Sequence, residues 1–292
     1  MIVTGTADGV YEISLDGAIQ RHALSGLDIG GISGDWAITP TAVVSLSSGQ
    51  QMALPDGLQP RCVLGGPGGS CLVGTSAARL FEVTPQSVRP VGSFDQIEGR
   101  REWFTPWGGP PDTRSMTPSN QGLLVNVHVG GVWRGDGHTW VEVVESGQDV
   151  HQVVADGDVV AVAAAVGIGQ SNDAGKTWTW STNGLHASYS RAITLAEDWL
   201  LASASTGPGS RQGALYRRPL DKPEAELTPC GGTGDLPESF PYNVDTFELA
   251  ADGKLVAVGT PSGEVYLSED SGGAWRKLVD TLPGVRSLTF AE

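Results

Sequence analysis

The sequence predicts an all-β fold: a seven-bladed β-propeller formed as a single domain over residues 1–292. Three observations predict it. A four-strand pattern recurs along the chain, the two ends each carry only part of that pattern, and the composition favours short strands and turns over surface helices.

The clearest unit runs from Asp149 to Ser181. In it "DVHQVVAD" alternates and ends in a turn, and "DVVAVAAAV" is a buried apolar run. "GIGQSND", "AGKT" and "WTWS" then complete two more short strands. The same order recurs over 112–144 and 243–279. It returns more loosely over 189–230, with an insertion at "GPGSRQ". Earlier copies open at "DIGGISGD" and "RCVLGGPG". The tail "VRSLTFAE" matches a first strand alone, whereas the head "IVTGTADGVYEISLDGAIQRHAL" matches strands two to four. Joined, the N- and C-terminal strands share one blade and leave no raw sheet edge. The alternative is six blades, with the weak second copy an elaboration.

Gly accounts for 41 residues and Pro for 18, while charged residues are only 17%. Helices on a protein surface need more Lys and Glu than this, and tight turns need Gly and Pro. Apolar residues at 39% suffice for a packed core. A formal charge of −15 excludes a nucleic-acid partner, since phosphate binding rests on clustered Lys and Arg. No apolar run has the length of a membrane span, so no membrane association is expected. The head lacks a charged segment followed by an apolar one, so a cytoplasmic location is expected. Cys62, Cys71 and Cys230 have neither zinc nor redox spacing. Cys62 and Cys71 could face each other across a hairpin, but in a reducing compartment they are expected as thiols.

"SNDAGKTW" (171–178) and "SEDSGGAW" (268–275) share the pattern Ser-x-Asp-x-Gly-x-x-Trp, and "RGDGHTW" (134–140) is a shortened copy. Each falls in the turn between strands three and four. There Asp bonds the turn backbone, Gly supplies positive φ, and Trp opens strand four. These turns resemble the Asp-box, or BNR repeat, of sialidases, sortilin-type receptors and photosystem II assembly factors. The resemblance implies a propeller and a structural role for Asp173, Gly175, Trp178, Asp270, Gly272 and Trp275. It does not extend to sialidase chemistry. Sialidases imply an arginine triad, a Tyr–Glu nucleophile pair, an aspartic acid/base and an early Arg-Ile-Pro motif, usually on six blades. Arg114, Arg191 and Arg286 form a triad by position and Tyr189 lies near, but the early motif is missing and no glutamate begins a channel strand.

In a propeller the first strands line the central channel, and their N-terminal ends surround one mouth. Here those ends are unusually polar: Arg61, Asp112 with Arg114, Asp149 with His151, Tyr189 with Arg191, Asn243 with Asp245, and Arg286. Loops returning to the same mouth add His128 and His186, and the long excursion "DQIEGRREWFTPWGGPP" adds Trp103, Phe104 and Trp107 as an aromatic lid. A water-filled channel with structural charge is the plain alternative.

The favoured function is an enzyme acting on a polar or anionic small molecule or sugar. Its acid–base groups are His151, His128, Asp112, Asp149, Tyr189 and Asp245. Its binding groups are Arg114, Arg191, Arg286, Asn243, Trp103, Trp107 and His186. No cofactor is expected. The alternatives are a non-catalytic module that binds a ligand or a protein partner, and a metalloenzyme in which His128, His151 and His186 hold zinc, copper or iron.

Overall fold

Short segments of alternating or continuous apolar residues, each closed by Gly, Asn or Asp turns, pair with the next segment in sequence and so build antiparallel sheets. In the computed structural model, which describes residues 1–291, they make seven four-stranded sheets. Blade 1 joins the last strand, Val285–Phe290, to Ile2–Thr6, Gly9–Ile13 and Ile19–Ala23. Ile2 stands opposite Phe290 in that sheet, so the ends of the chain share one blade as the sequence predicts. The innermost strands of blades 2 to 7 are Gly31–Ser33, Pro60–Gly65, Thr113–Ser119, Val150–Asp156, Ile193–Ala196 and Leu249–Asp252. Each touches the next, and Val285–Phe290 touches both Leu249–Asp252 and Gly31–Ser33, which closes the ring. The weak second copy is therefore a full blade, and the six-bladed alternative falls.

A blade buries its two faces against its neighbours, and a separate apolar cluster fills each of the seven interfaces. Ile2 and Ile13 pack against Val265 and Leu267 between blades 7 and 1; Val160 and Val162 pack against Leu124 and Val132 between blades 4 and 5. The hairpin register sets Cys62 opposite Gly74 and Cys71 opposite Gly65, so these two thiols do not face each other. All three cysteines are free and buried.

The repeated Ser-x-Asp-x-Gly-x-x-Trp turns are self-contained. Asp173 Oδ1 accepts the Ser171 hydroxyl at 2.7 Å and the N–H groups of Lys176 and Thr177. Trp178 Nε1 donates back to the Gly175 carbonyl at 3.2 Å. Asp270, Gly272 and Trp275 repeat the arrangement. The Asp carboxylates of both turns are thus held by their own turn backbone. No helix among the described residues is long and apolar enough to cross a membrane.

Candidate functional site at the channel mouth

One backbone device positions the polar side chains of the mouth. In blade 4, Thr113 pairs with Val127 and Ser115 with Asn126, so Arg114 is an extra residue with no partner. The same irregularity isolates Arg61 in blade 3, His151 in blade 5 and Arg286 in blade 1. A β-bulge turns its extra side chain away from the regular alternation and commonly lies beside functional sites. Four blades thus carry a bulge at the equivalent place, each holding an Arg or a His.

The arginines are paired. Arg61 Nε lies 2.9 Å from Asp112 Oδ2, and Arg286 Nε lies 3.4 Å from Asp28 Oδ1. Asp245 takes two partners: Arg191 Nη1 donates to its Oδ2, and Arg114 Nη2 approaches its Oδ1 at 3.9 Å from blade 4. Arg191 also donates to the Tyr189 hydroxyl through Nε and Nη2. The rim therefore alternates donors and acceptors and holds no arginine without a carboxylate nearby.

A second group sits on blades 4 and 5. His128 Nε2 lies 2.7 Å from Asp149 Oδ1, and His151 Nε2 lies 3.6 Å from the same oxygen. Arg114 Nη1 is 3.2 Å from His128 Nε2, so a donor and an acceptor compete for one ring nitrogen. His151 is fully buried, and its Nδ1 donates to the Ser190 carbonyl at 2.6 Å. Burial, with the Arg114 guanidinium next in effect, depresses the His151 imidazolium to about 4, so the ring is neutral at pH 7. For Asp149, burial acts upward, but the hydrogen bond from His128 and the positive charge around it outweigh burial and hold the carboxyl below its usual range. The Tyr189 ring packs 4.7 Å from His151 and Trp107 lies 5.2 Å from His128. Backbone strain gathers here too: Asp149 has φ +51°, and Val129, next to His128, has φ +53°, an outlier for a β-branched residue.

Three expected site residues lie elsewhere. Trp103 is buried against Phe94 and Trp133 with Arg100 over its ring, so it plugs the interface of blades 3 and 4. Of the loop's three aromatic residues, Phe104 and Trp107 are exposed. Both ring nitrogens of His186 are engaged, by the Tyr216 hydroxyl at 2.8 Å and the Gln212 carbonyl at 3.1 Å, and it does not join the other two histidines. Asn243 donates to the carbonyls of Gly207 and Pro208 and so clamps a loop.

One residue escaped the sequence reading. Glu248 is buried next to the innermost strand of blade 7, and its Oε2 accepts the Asp245 N–H at 2.7 Å. Burial, reinforced by the Asp245 charge, pushes its carboxyl up to about 8. In sequence it looks like one more polar position of an alternating strand; its burial and the Asp245 N–H donated to its carboxyl show that the side chain faces inward.

No protein-family model and no curated protein matches the chain. Solved structures do resemble it. The computationally designed Ika8 protein aligns over 99% of this chain and 87% of its own, with a TM-score of 0.63 and 15% identity. The β-propeller domain of Cps50 (Swd1) from Myceliophteria thermophila aligns over 88% of each chain, with a TM-score of 0.59 and 11% identity. The GH74 enzyme of Niastella koreensis aligns over 94% of this chain and 46% of its own, with a TM-score of 0.59 and 15% identity. At such identities the likeness shows the propeller fold alone, and function must be argued from the mouth itself.

Proposed function

We propose that the protein binds a small, hydroxyl-rich molecule such as a sugar at the channel mouth and acts on it by proton transfer, in hydrolysis or elimination. The observation that supports this most is a groove of two adjoining cavities, of about 220 and 210 Å³, which share Gly30 and Arg61. Asp28 and Arg286 line the first, and Asp112 and Arg114 line the second. An ion pair presents a donor beside an acceptor, which suits a neutral hydroxyl that does both. An anion would have to displace a carboxylate first. Trp107, 67% exposed beside His128, offers a flat apolar face for a ring. Arg114 links the groove to His128, so His128 and Asp149 are the groups in position to move a proton, while Arg61, Asp112 and Arg114 orient the ligand.

The test is thermal stabilisation across a panel of neutral sugars, sugar acids and inorganic anions. A neutral sugar is expected to raise Tm in the wild type, and Asp112→Asn or Arg61→Ala to abolish the rise. Retention of the full rise in both variants, or no rise with any sugar, would overturn the reading. A second reading, a docking module without chemistry, draws on the exposed Phe104 and Trp107 rings. It predicts binding that His128→Gln leaves intact, with no product formed by the wild type.

A further inference from the structure

We infer that His128, Asp149 and His151 form a binding site for a divalent transition metal such as zinc or ferrous iron. Their ligand atoms lie within 4.8 Å of one another, and among the described residues they are the one cluster of this kind. The tautomer of His151 carries the argument. A carbonyl oxygen only accepts, so the 2.6 Å contact with Ser190 O fixes the proton on Nδ1. Nε2 then holds a lone pair. That lone pair is buried, has no hydrogen-bond partner, and faces the anionic Asp149 Oδ1 at 3.6 Å. Two acceptors confronting each other in a dry site are costly, and a cation between them removes the cost.

The surroundings are those of a ligating histidine. A metal-bound imidazole ordinarily donates its other ring N–H to a backbone carbonyl, which orients the ring and raises its basicity. His151 does this through Ser190. Two imidazoles and one carboxylate on one side leave further positions open, the donor set of zinc and non-haem iron sites. Tyr189 and Trp107 wall the site with aromatic carbon. Arg114 is the competing cation at His128 Nε2, and Asp245 is the carboxylate able to hold it once a metal takes that nitrogen. His186, engaged elsewhere, is not part of this set.

The inference stands apart from the sugar proposal, since with a metal bound His128 and Asp149 would be ligands rather than free proton-transfer groups, and metal uptake is read with no sugar present. Protein purified without a histidine tag is stripped with chelator, dialysed, and titrated with Zn²⁺ and with Co²⁺. The wild type is expected to take up one equivalent, to gain thermal stability, and to develop visible cobalt bands. His151→Gln and Asp149→Asn are expected to weaken uptake by more than about 100-fold, beyond the loss an outer-shell partner causes, and His186→Ala to leave it unchanged. Folded wild type, judged by circular dichroism, that shows neither a Tm rise nor cobalt bands overturns the inference whatever the variants do. So does a His151→Gln protein that keeps wild-type affinity.

Discussion

Arg191 and Asp245, 54 residues apart in sequence, meet across the boundary of blades 6 and 7, and Asp245 holds Arg114 of blade 4 with its other oxygen at 3.9 Å. One carboxylate thereby balances two guanidiniums. Asp245→Asn removes that balance. The pairs lie between the exposed limit of up to ~1 kcal/mol and the buried limit of ~3–5 kcal/mol. A stability loss of about 1–3 kcal/mol in denaturant unfolding is expected. The freed arginines also become an anion site, so sulfate should raise the Tm of the variant more than that of the wild type. Equal sulfate responses would contradict the pairing described.

Glu248 makes stability depend on pH. Its folded value is raised to about 8, above the ordinary carboxyl range. Below the unfolded value, ~4.3, both states carry the proton and folding gains fully. Between there and about pH 8 the unfolded chain releases the proton while the native chain keeps it, so stability falls as pH rises. Glu248→Gln should flatten this decline. Unfolding free energies measured from pH 5 to 9 in both proteins check it; parallel curves would refute it.

Trp103 and Trp107 sit four residues apart in one loop and should separate cleanly. Trp103 fills the blade 3–blade 4 interface, so Trp103→Ala should cost about 3–5 kcal/mol. Trp107→Ala should cost less than about 0.5 kcal/mol yet weaken ligand binding. Paired denaturation and calorimetry on the two variants distinguish the plug from the platform.

The two repeated turns should differ in tolerance. Gly175 and Gly272 both adopt positive φ, near +86° and +84°. A Cβ at Gly272 would meet Leu201 Cδ2 at 2.6 Å, whereas at Gly175 its nearest neighbour is Val143 Cβ at 3.2 Å. Gly175→Ala should therefore cost about 1–2 kcal/mol from the backbone alone, and Gly272→Ala about 2–4 kcal/mol once overpacking is added. Equal costs would show that the Leu201 contact relaxes freely.

Why the fold was readable, and the site only partly so, follows from where each kind of information resides. Blade boundaries come from alternation and turn residues, which are local, and closure comes from two ends that each lack what the other has. The polarity of Arg61, Arg114, His151 and Arg286 is equally local. Their bulges are not, because a bulge exists only relative to the partner strand. Asp149 and His151 stand one residue apart from their common neighbour, but His128 reaches them only through the packing of blades 4 and 5. His186 carries the same side chain as His128, and nothing in the letters says that Tyr216 claims it. Trp103 and Trp107 differ only in which of them Phe94 and Trp133 receive.

Val285–Phe290 follows blade 7 in sequence yet is the innermost strand of blade 1, so a single strand pairing closes the ring. That strand touches Leu249–Asp252 of blade 7 on one side and Gly31–Ser33 of blade 2 on the other, so it joins the two ends of the arc that carries Arg114, His151 and Arg191. A charge placed on the buried Leu288 of that strand should therefore open the whole ring rather than loosen one blade.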